Sequence, residues 1–147
     1  MRILILCTGN SCRSQMAHGF LQSFDCHIEV YSAGTSPAGR VHPLAISVMA
    51  EVGIDISHHV PRNVKEYLDE PWDYVITVCG GANETCPTFV GKVGKRIHIG
   101  FDDPSNVVGS KEHVISEFRR VREDIRKAFR NFYVCCSRKS GHEIGEK

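Results

Sequence analysis

Apolar residues fall along this chain in two alternating rhythms. Ile3-Leu4-Ile5-Leu6 is an unbroken apolar run, the pattern of a strand covered on both faces. Small and polar residues follow, and from Ser14 the spacing turns helical, with Met16, Ala17, Phe20, Leu21 and Phe24 on one face. The stretch 28–33 reads as a second strand, closed by Gly34 and Pro37. Leu44, Ala45, Val48, Met49 and Val52 predict a helix with Gly53 as its stop. A third strand is predicted over 74–78 and a shorter fourth over 97–99. Val114, Phe118, Val121, Ile125, Ala128 and Phe132 predict a final helix over about 111–133. Strands alternating with helices predict an α/β fold, a parallel sheet with helices on both faces. No internal repeat or linker interrupts the pattern. Residues 1–134 form one expected domain, and 135–147 a polar tail expected to fray.

Composition narrows the function classes. A chain of 147 residues suits one compact domain with a core that needs no disulfide staples. Eighteen basic residues against 17 acidic give a net charge of +1, which argues against a bulk nucleic-acid binder or a membrane-surface protein. The apolar run at the N-terminus is too short for a signal-peptide core or a membrane span, so a cytoplasmic address is expected. Seven cysteines, Cys7, Cys12, Cys26, Cys79, Cys86, Cys135 and Cys136, are many for that address. A reducing compartment disfavours a permanent disulfide framework. The spacings also lack the C-x₂-C look of a zinc site, so no metal is expected. Buried packing residues, catalytic thiols or a mixture of both remain.

The segment Cys7-Thr8-Gly9-Asn10-Ser11-Cys12-Arg13-Ser14, a C-x₅-R loop between the first strand and first helix, is an anion cradle. Successive backbone N–H groups in a tight loop converge on one point, and the helix behind adds the positive end of its dipole. Gly9 lets the backbone curl, and Arg13 supplies a planar fork for two oxygens of a tetrahedral oxyanion. The same field is expected to depress the Cys7 thiol and make it a nucleophile aimed at the bound anion. Ser14 can stabilise that thiolate or cap the helix. Cys12 reads as packing. Asp102-Asp103-Pro104, after the fourth strand, can open on the same sheet edge and offer an acid for a departing oxygen, or be an ordinary turn.

Cys79-Gly80-Gly81 ends the third strand, with Cys86 seven residues on. Extended, that separation spans up to ~25 Å, whereas bridged Cα atoms sit ~5.5 Å apart, so a disulfide between the two needs the segment to fold back. These are two incidental thiols of a surface loop, or, beside a reactive Cys7, members of a thiol relay. The histidines, His58-His59 and His98 among them, show no ligand spacing and read as surface or packing residues.

The run CTGNSCRSQMA from Cys7 to Ala17 resembles the start of thioredoxin-coupled arsenate reductases built on the low-molecular-weight tyrosine phosphatase fold. The likeness continues through Tyr31-Ser32-Ala33-Gly34-Thr35, Asp55-Ile56-Ser57, the Cys79/Cys86 pair and Gly100-Phe101-Asp102-Asp103-Pro104, to about Phe132. It implies a four-stranded parallel sheet and a definite route. Cys7 attacks arsenate held by Thr8, Gly9, Asn10, Ser11, Cys12, Arg13 and Ser14, with Asp103 protonating the departing oxygen. Cys79 then attacks Cys7, expelling arsenite, and Cys86 attacks Cys79. Thioredoxin reduces the resulting disulfide; no bound cofactor is implied. The resemblance also makes Asn10 a residue that holds the loop in shape. Some members hold potassium beside the loop through carboxylates and a threonine, at positions that here are His18, Arg62 and Val60. No potassium site is therefore expected.

Two rivals share these features. A low-molecular-weight tyrosine phosphatase would use the same loop and acid through a Cys7 phosphocysteine. However, it usually carries aromatic residues after the Asp-Pro, where Ser105 and Asn106 stand here. Weak phosphatase activity is expected from the shared loop. A non-catalytic redox or oxyanion sensor would keep the thiols without turnover. A monomer is expected, and no role is assigned to Cys135 and Cys136.

Overall fold

The computed structural model describes residues 1–139. In chain order the elements are β1 (Arg2–Cys7), α1 (Arg13–Phe24), β2 (Glu29–Gly34), α2 (Pro43–Ala50), β3 (Trp72–Thr77), α3 (Gly80–Thr85), β4 (Val93–His98) and α4 (Lys111–Lys139), with short 3₁₀ turns at Val64–Tyr67 and Pro104–Asn106. The four strands form one parallel sheet in the order β2-β1-β3-β4. β1 is central, and Ile3, Leu4, Ile5 and Leu6 have no exposed surface at all, as their unbroken apolar run requires. The chain leaves β1 toward β2 on one side and takes up β3 on the other. The carboxyl ends of β1 and β3 therefore flank a topological switch point, where open α/β sheets bind ligands.

Helix α1 buries Met16, Ala17, Phe20 and Leu21, packing on β1 and β2 and against α4. Helix α2 ends where Gly53 takes φ +81°, and Ile54 N–H closes back on the Met49 carbonyl at 3.0 Å. Helix α4 lays Phe118, Val121, Ile125, Phe129 and Phe132 against the core. Arg122 ties it to the end of α2 through the Val48 carbonyl (3.0 Å) and Glu51 (2.8 Å).

Three elements differ from the pattern expectations. Helix α4 does not stop near residue 133: its buried seam carries on through Cys136 and Ser137. Cys136 lies under Met1 (Sγ to Sδ 3.6 Å) while Cys135 faces solvent, so the adjacent pair belongs to a helix up to Lys139 and not to a tail. The remainder of the expected tail, 140–147, lies outside the described residues. Segment 80–85 is helical, with Cys79 Sγ accepting from Ala82 N–H (3.4 Å) as the cap. Strand β4 begins at Val93, because as an edge strand it exposes Gly94, Lys95 and Arg96 and needs no apolar alternation to announce it. Among the described residues, no helix is long and apolar enough to cross a membrane.

Gly34 is the point where the sheet fixes the loop. It pairs with Cys7 in the β1–β2 register, and a Cβ there would lie 2.4 Å from the Thr8 carbonyl oxygen and 3.1 Å from Asn10 N. Gly34→Ala is expected to lower stability by about 1–3 kcal/mol through this overlap, read as a fall in thermal unfolding temperature. An unchanged melting curve would mean that the loop is not clamped by β2.

Candidate active site

A loop that presents its N–H groups inward must first dispose of its carbonyls, and this one does so at every residue from 7 to 12. The carbonyl oxygens of Cys7, Thr8, Gly9 and Ser11 accept from the backbone N–H groups of Thr35 (3.2 Å), Ser36 (2.9 Å), Ala38 (2.9 Å) and His42 (2.8 Å). Asn10 O accepts from Gln15 Nε2 (3.1 Å), and Cys12 O from Met16 N–H in the first turn of α1. Because each peptide is planar with its N–H opposed to its carbonyl, tying the carbonyls outward turns the amides toward the loop interior. One such amide is seen in use: Asn10 N–H donates to Cys7 Sγ at 3.0 Å.

Asn10 holds the bend. It takes φ +51°, a left-handed conformation that Asn tolerates better than most side chains, and it is fully buried. Its Oδ1 accepts from the Arg62 backbone N–H (2.9 Å) and from Gln15 Nε2 (3.1 Å), and its Nδ2 donates to Ser14 Oγ (2.8 Å). Ser14 Oγ is 2.8 Å from Cys7 Sγ. Since Ser14 already accepts from Asn10, its own proton is left to donate to sulfur. Ser14 is therefore a partner of the thiol. The residue at the helix cap is Cys12, without a side-chain capping bond.

The Cys7 thiol does not follow the expected depression by Arg13. At 3% exposed, burial pushes it up, while hydrogen bonds from Ser14 and Asn10 N–H pull it down. Arg13 is drawn elsewhere: Nη1 donates to Phe101 O (3.1 Å) and Nη2 to Asp103 Oδ2 (3.3 Å). Asp103 Oδ1 accepts from the N–H of Ser105 (3.0 Å) and from its hydroxyl (2.6 Å), which fixes the carboxylate at the mouth of the loop. The neighbouring Asp102 instead pairs with Arg120 on α4 (3.1 Å). Cys12 is buried and its thiol is pushed up by desolvation, in keeping with packing.

The second thiol lies next to the first loop. Val78 N–H pairs with Leu6 O, so β3 delivers Cys79 beside the end of β1, and Thr8 Oγ1 and Cys79 Sγ share a hydrogen bond of 3.4 Å. Gly81 meets Thr8 closely: a Cβ on it would stand 2.8 Å from Thr8 Oγ1. Cys86 sits apart from this group, half-buried at the end of α3 against β4, with Arg96 Nη2 3.6 Å from its sulfur.

Gln15 and His59 are the residues that sequence reasoning missed. His59 Nδ1 donates to Gln15 Oε1 (2.8 Å), which orients the Gln15 amide so that Nε2 faces Asn10. His59 also packs on His18, ring centroids 4.5 Å apart, and His18 Nδ1 meets Ser32 Oγ at 2.9 Å. Burial, with the neighbouring His59 and His58 adding to it, holds His18 down to about 3, so it is neutral at physiological pH. His98 is likewise engaged, with Nδ1 2.8 Å from Thr77 Oγ1. None of the side chains of His18, Val60 and Arg62 offers an oxygen, and a guanidinium opposes a cation, so the donor set does not suit potassium.

Known proteins resemble this chain in sequence and in fold. Residues 2–142 match the family model described as low molecular weight phosphotyrosine protein phosphatase. An arsenate reductase of Halalkalibacterium halodurans is 43% identical over 131 residues, 88% of this chain and 93% of that protein. One from Bacillus subtilis is 42% identical over the same span and shares. Among solved structures, an arsenate reductase in the phosphate binding state superposes with a TM-score of 0.75 at 33% identity, covering 89% of this chain and 95% of that one. A tyrosine phosphatase of Erwinia amylovora, 18% identical and covering 91% of each chain, has the same fold with a TM-score of 0.72.

The geometry sets two expected outcomes. Ser14→Ala removes a donor to the Cys7 sulfur, so the thiol should rise further. The pH profile of Cys7 alkylation should then lie at higher pH, and a midpoint one pH unit higher makes the reaction at neutral pH about tenfold slower. A profile identical to that of the native chain would show that Ser14 does not reach the sulfur. Unfolding temperature should be the same in potassium and sodium buffers, and a potassium-specific rise would show a cation site beside His18.

Proposed function

The chain belongs to the low molecular weight phosphotyrosine protein phosphatase family, and from that membership we propose that it is an arsenate reductase working through a three-thiol relay. The observation that carries this reading is Cys79 beside the oxyanion loop, hydrogen-bonded to Thr8 at the neighbouring strand end. A phosphatase has no task for a second thiol there. The identity of 42–43% to proteins named arsenate reductase supports the same choice.

The cradle binds arsenate through the loop amides and Arg13, which trades Phe101 O and Asp103 for the anion's oxygens. Cys7 attacks arsenic. Its proton passes to an oxygen of the incoming anion, so nucleophile and anion do not meet as like charges. Asp103, which takes a proton from solvent once Arg13 has turned to the anion, protonates the departing oxygen, which leaves as water, and a Cys7–arsenic(V) bond remains. Cys79 then attacks Cys7 Sγ. The Cys7–Cys79 bond forms, the sulfur–arsenic pair of electrons stays on arsenic, and arsenic leaves two electrons richer as arsenite. Cys86 next attacks Cys79, Cys7 departs as a thiol, and a Cys79–Cys86 disulfide is left for a dithiol reductant of the thioredoxin class. Ser14 and Asn10 serve Cys7 both as nucleophile and as leaving group, because both roles carry charge on the same sulfur. The protein binds no resident cofactor in this scheme, and it acts as a cytoplasmic monomer.

The phosphatase reading rests on one specific feature. Cys7, Arg13 and Asp103 form the set that a phosphocysteine route needs, and the family description names that activity. Arsenate-dependent NADPH oxidation coupled through thioredoxin and thioredoxin reductase separates the two. Turnover should be present in the native chain and lost by at least about a hundredfold in both Cys79→Ser and Cys86→Ser, about 2.7 kcal/mol of barrier. Phosphatase activity depending on Cys7 alone, without arsenate turnover, would overturn the reductase reading.

A further inference from the structure

The thiol that the relay needs last is held differently from the other two. Cys86 follows α3 and faces the edge of the sheet, where a cavity of about 220 Å³ is lined by Val75, Thr77, Cys86, Arg96, Ile97 and His98. Its sulfur has two polar neighbours among the described residues. Cys86 Sγ–H donates to Pro87 O at 3.5 Å, and Arg96 Nη2 donates to Cys86 Sγ at 3.6 Å. The guanidinium is placed by a third contact: Arg96 lies over the Phe89 ring, 5.4 Å from its centroid. Arg96 comes from β4, and Cys86 and Phe89 come from the segment that follows α3. One side chain thus pins the cysteine-bearing segment to the strand and points its charge at the sulfur.

We propose that Arg96 prepares Cys86 for the second thiol–disulfide exchange, its guanidinium aimed at the sulfur that, on losing its proton, attacks Cys79. The inference deepens the relay reading above and rests on it. In this step the Cys86 thiolate attacks Cys79 Sγ, the Cys79–Cys86 bond forms, and the Cys7–Cys79 bond breaks. Cys7 leaves with the electron pair and takes up the proton that Cys86 gave to solvent, so the exchange carries no net oxidation. A thiol attacks disulfides fastest when its ionisation falls near the ambient pH. Burial pushes the Cys86 thiol up, away from that range, and Arg96 opposes it both through its charge and through its hydrogen bond. Among the described residues, the other titratable groups lining the cavity beside Cys86 are Arg96 and His98, and the His98 ring is turned to Thr77 Oγ1 at 2.8 Å. The fixed cation on this sulfur is therefore Arg96. It takes at Cys86 the part that the sequence assigned to Arg13 at Cys7.

The test is the pH dependence of Cys86 alkylation by iodoacetamide in the full chain, read by mass spectrometry of the Cys86 peptide. Arg96→Met keeps an apolar stem over Phe89 and removes the charge, whereas Arg96→Lys keeps a charge without the fork. Arg96→Met should raise the midpoint by about one pH unit, a roughly tenfold slower reaction at neutral pH. Arg96→Lys should recover much of that loss. Arg96 is exposed on an edge strand, and an unaltered far-UV spectrum of both variants confirms that the fold persists. A midpoint unmoved in Arg96→Met, or moved equally in both variants, overturns the proposal, because a purely structural brace would not distinguish charge. Arsenite release by the native chain in a single turnover is read separately. Its absence overturns the relay and this step with it; its presence beside an unmoved Cys86 profile overturns the role of Arg96 alone.

Discussion

A backbone N–H can only donate, and the one on Arg62 sets the direction of the side-chain hydrogen bonds that lead to the nucleophile. It gives its proton to Asn10 Oδ1 at 2.9 Å, which makes that atom the oxygen and turns Nδ2 toward Ser14. Gln15 agrees from the other side, since His59 donates to its oxygen and leaves its Nε2 for Asn10. Donors then run one way, from His59 through Gln15, Asn10 and Ser14 to the Cys7 sulfur. In such a chain each bond polarises the next, and the charge that it favours at the end is negative. The loop conformation depends on the same residues. The left-handed turn at Asn10 persists because its side chain is held by bonds on both of its polar ends, and Gly34 leaves room for the backbone to pass. Removing one member would therefore alter both the shape of the cradle and the ionisation of its thiol.

Burial and hydrogen bonding oppose one another at Cys7, and burial is the larger. This is not a defect for a thiol that must meet an anion. A thiolate already formed beneath a ring of amides would repel a doubly charged oxyanion at the moment of binding. A thiol that burial pushes up can enter the complex neutral and ionise by giving its proton to the substrate. Arg13 fits that sequence, because its partners at the mouth of the loop, Phe101 O and Asp103, are the ones that an oxyanion would replace. The guanidinium thus joins the anion site to Asp103, the acid of the proposed route.

The sheet and the cradle were legible because their signals are local. Ile3 to Leu6 can be little else than a buried central strand, and a C-x₅-R loop before a helix leaves little freedom for its backbone. Cys79 was placed at the right edge by strand counting alone. The partners of the loop were not legible, because Gln15 and His59 are 44 residues apart in sequence and nothing in either local pattern signals the bond. Helix α3 was hidden by Gly80 and Gly81, both poor helix formers, with a thiol in place of a common capping side chain. Only the first half of strand β4 was hidden, because Gly94, Lys95 and Arg96 are exposed and the apolar signal begins at Ile97. The end of α4 was misread because Cys136 and Ser137, small enough to be buried near the chain's first residue, give little sign of it in a hydropathy reading.

The fold offers a general way to turn an oxyanion-transfer loop into a reductive one. Loop, acid and fork serve phosphorus and arsenic alike, since each needs a nucleophile behind and a proton in front of a tetrahedral centre. The difference lies in what can attack the sulfur afterwards. Water at the central atom returns it unchanged in oxidation state, whereas a thiol at the sulfur leaves an electron pair on arsenic. A parallel sheet with its switch point between β1 and β3 sets that second thiol one strand away, at the same carboxyl edge, with no new element required. The third thiol lies instead among side chains of β3 and the edge strand β4. The cation at its sulfur there is Arg96.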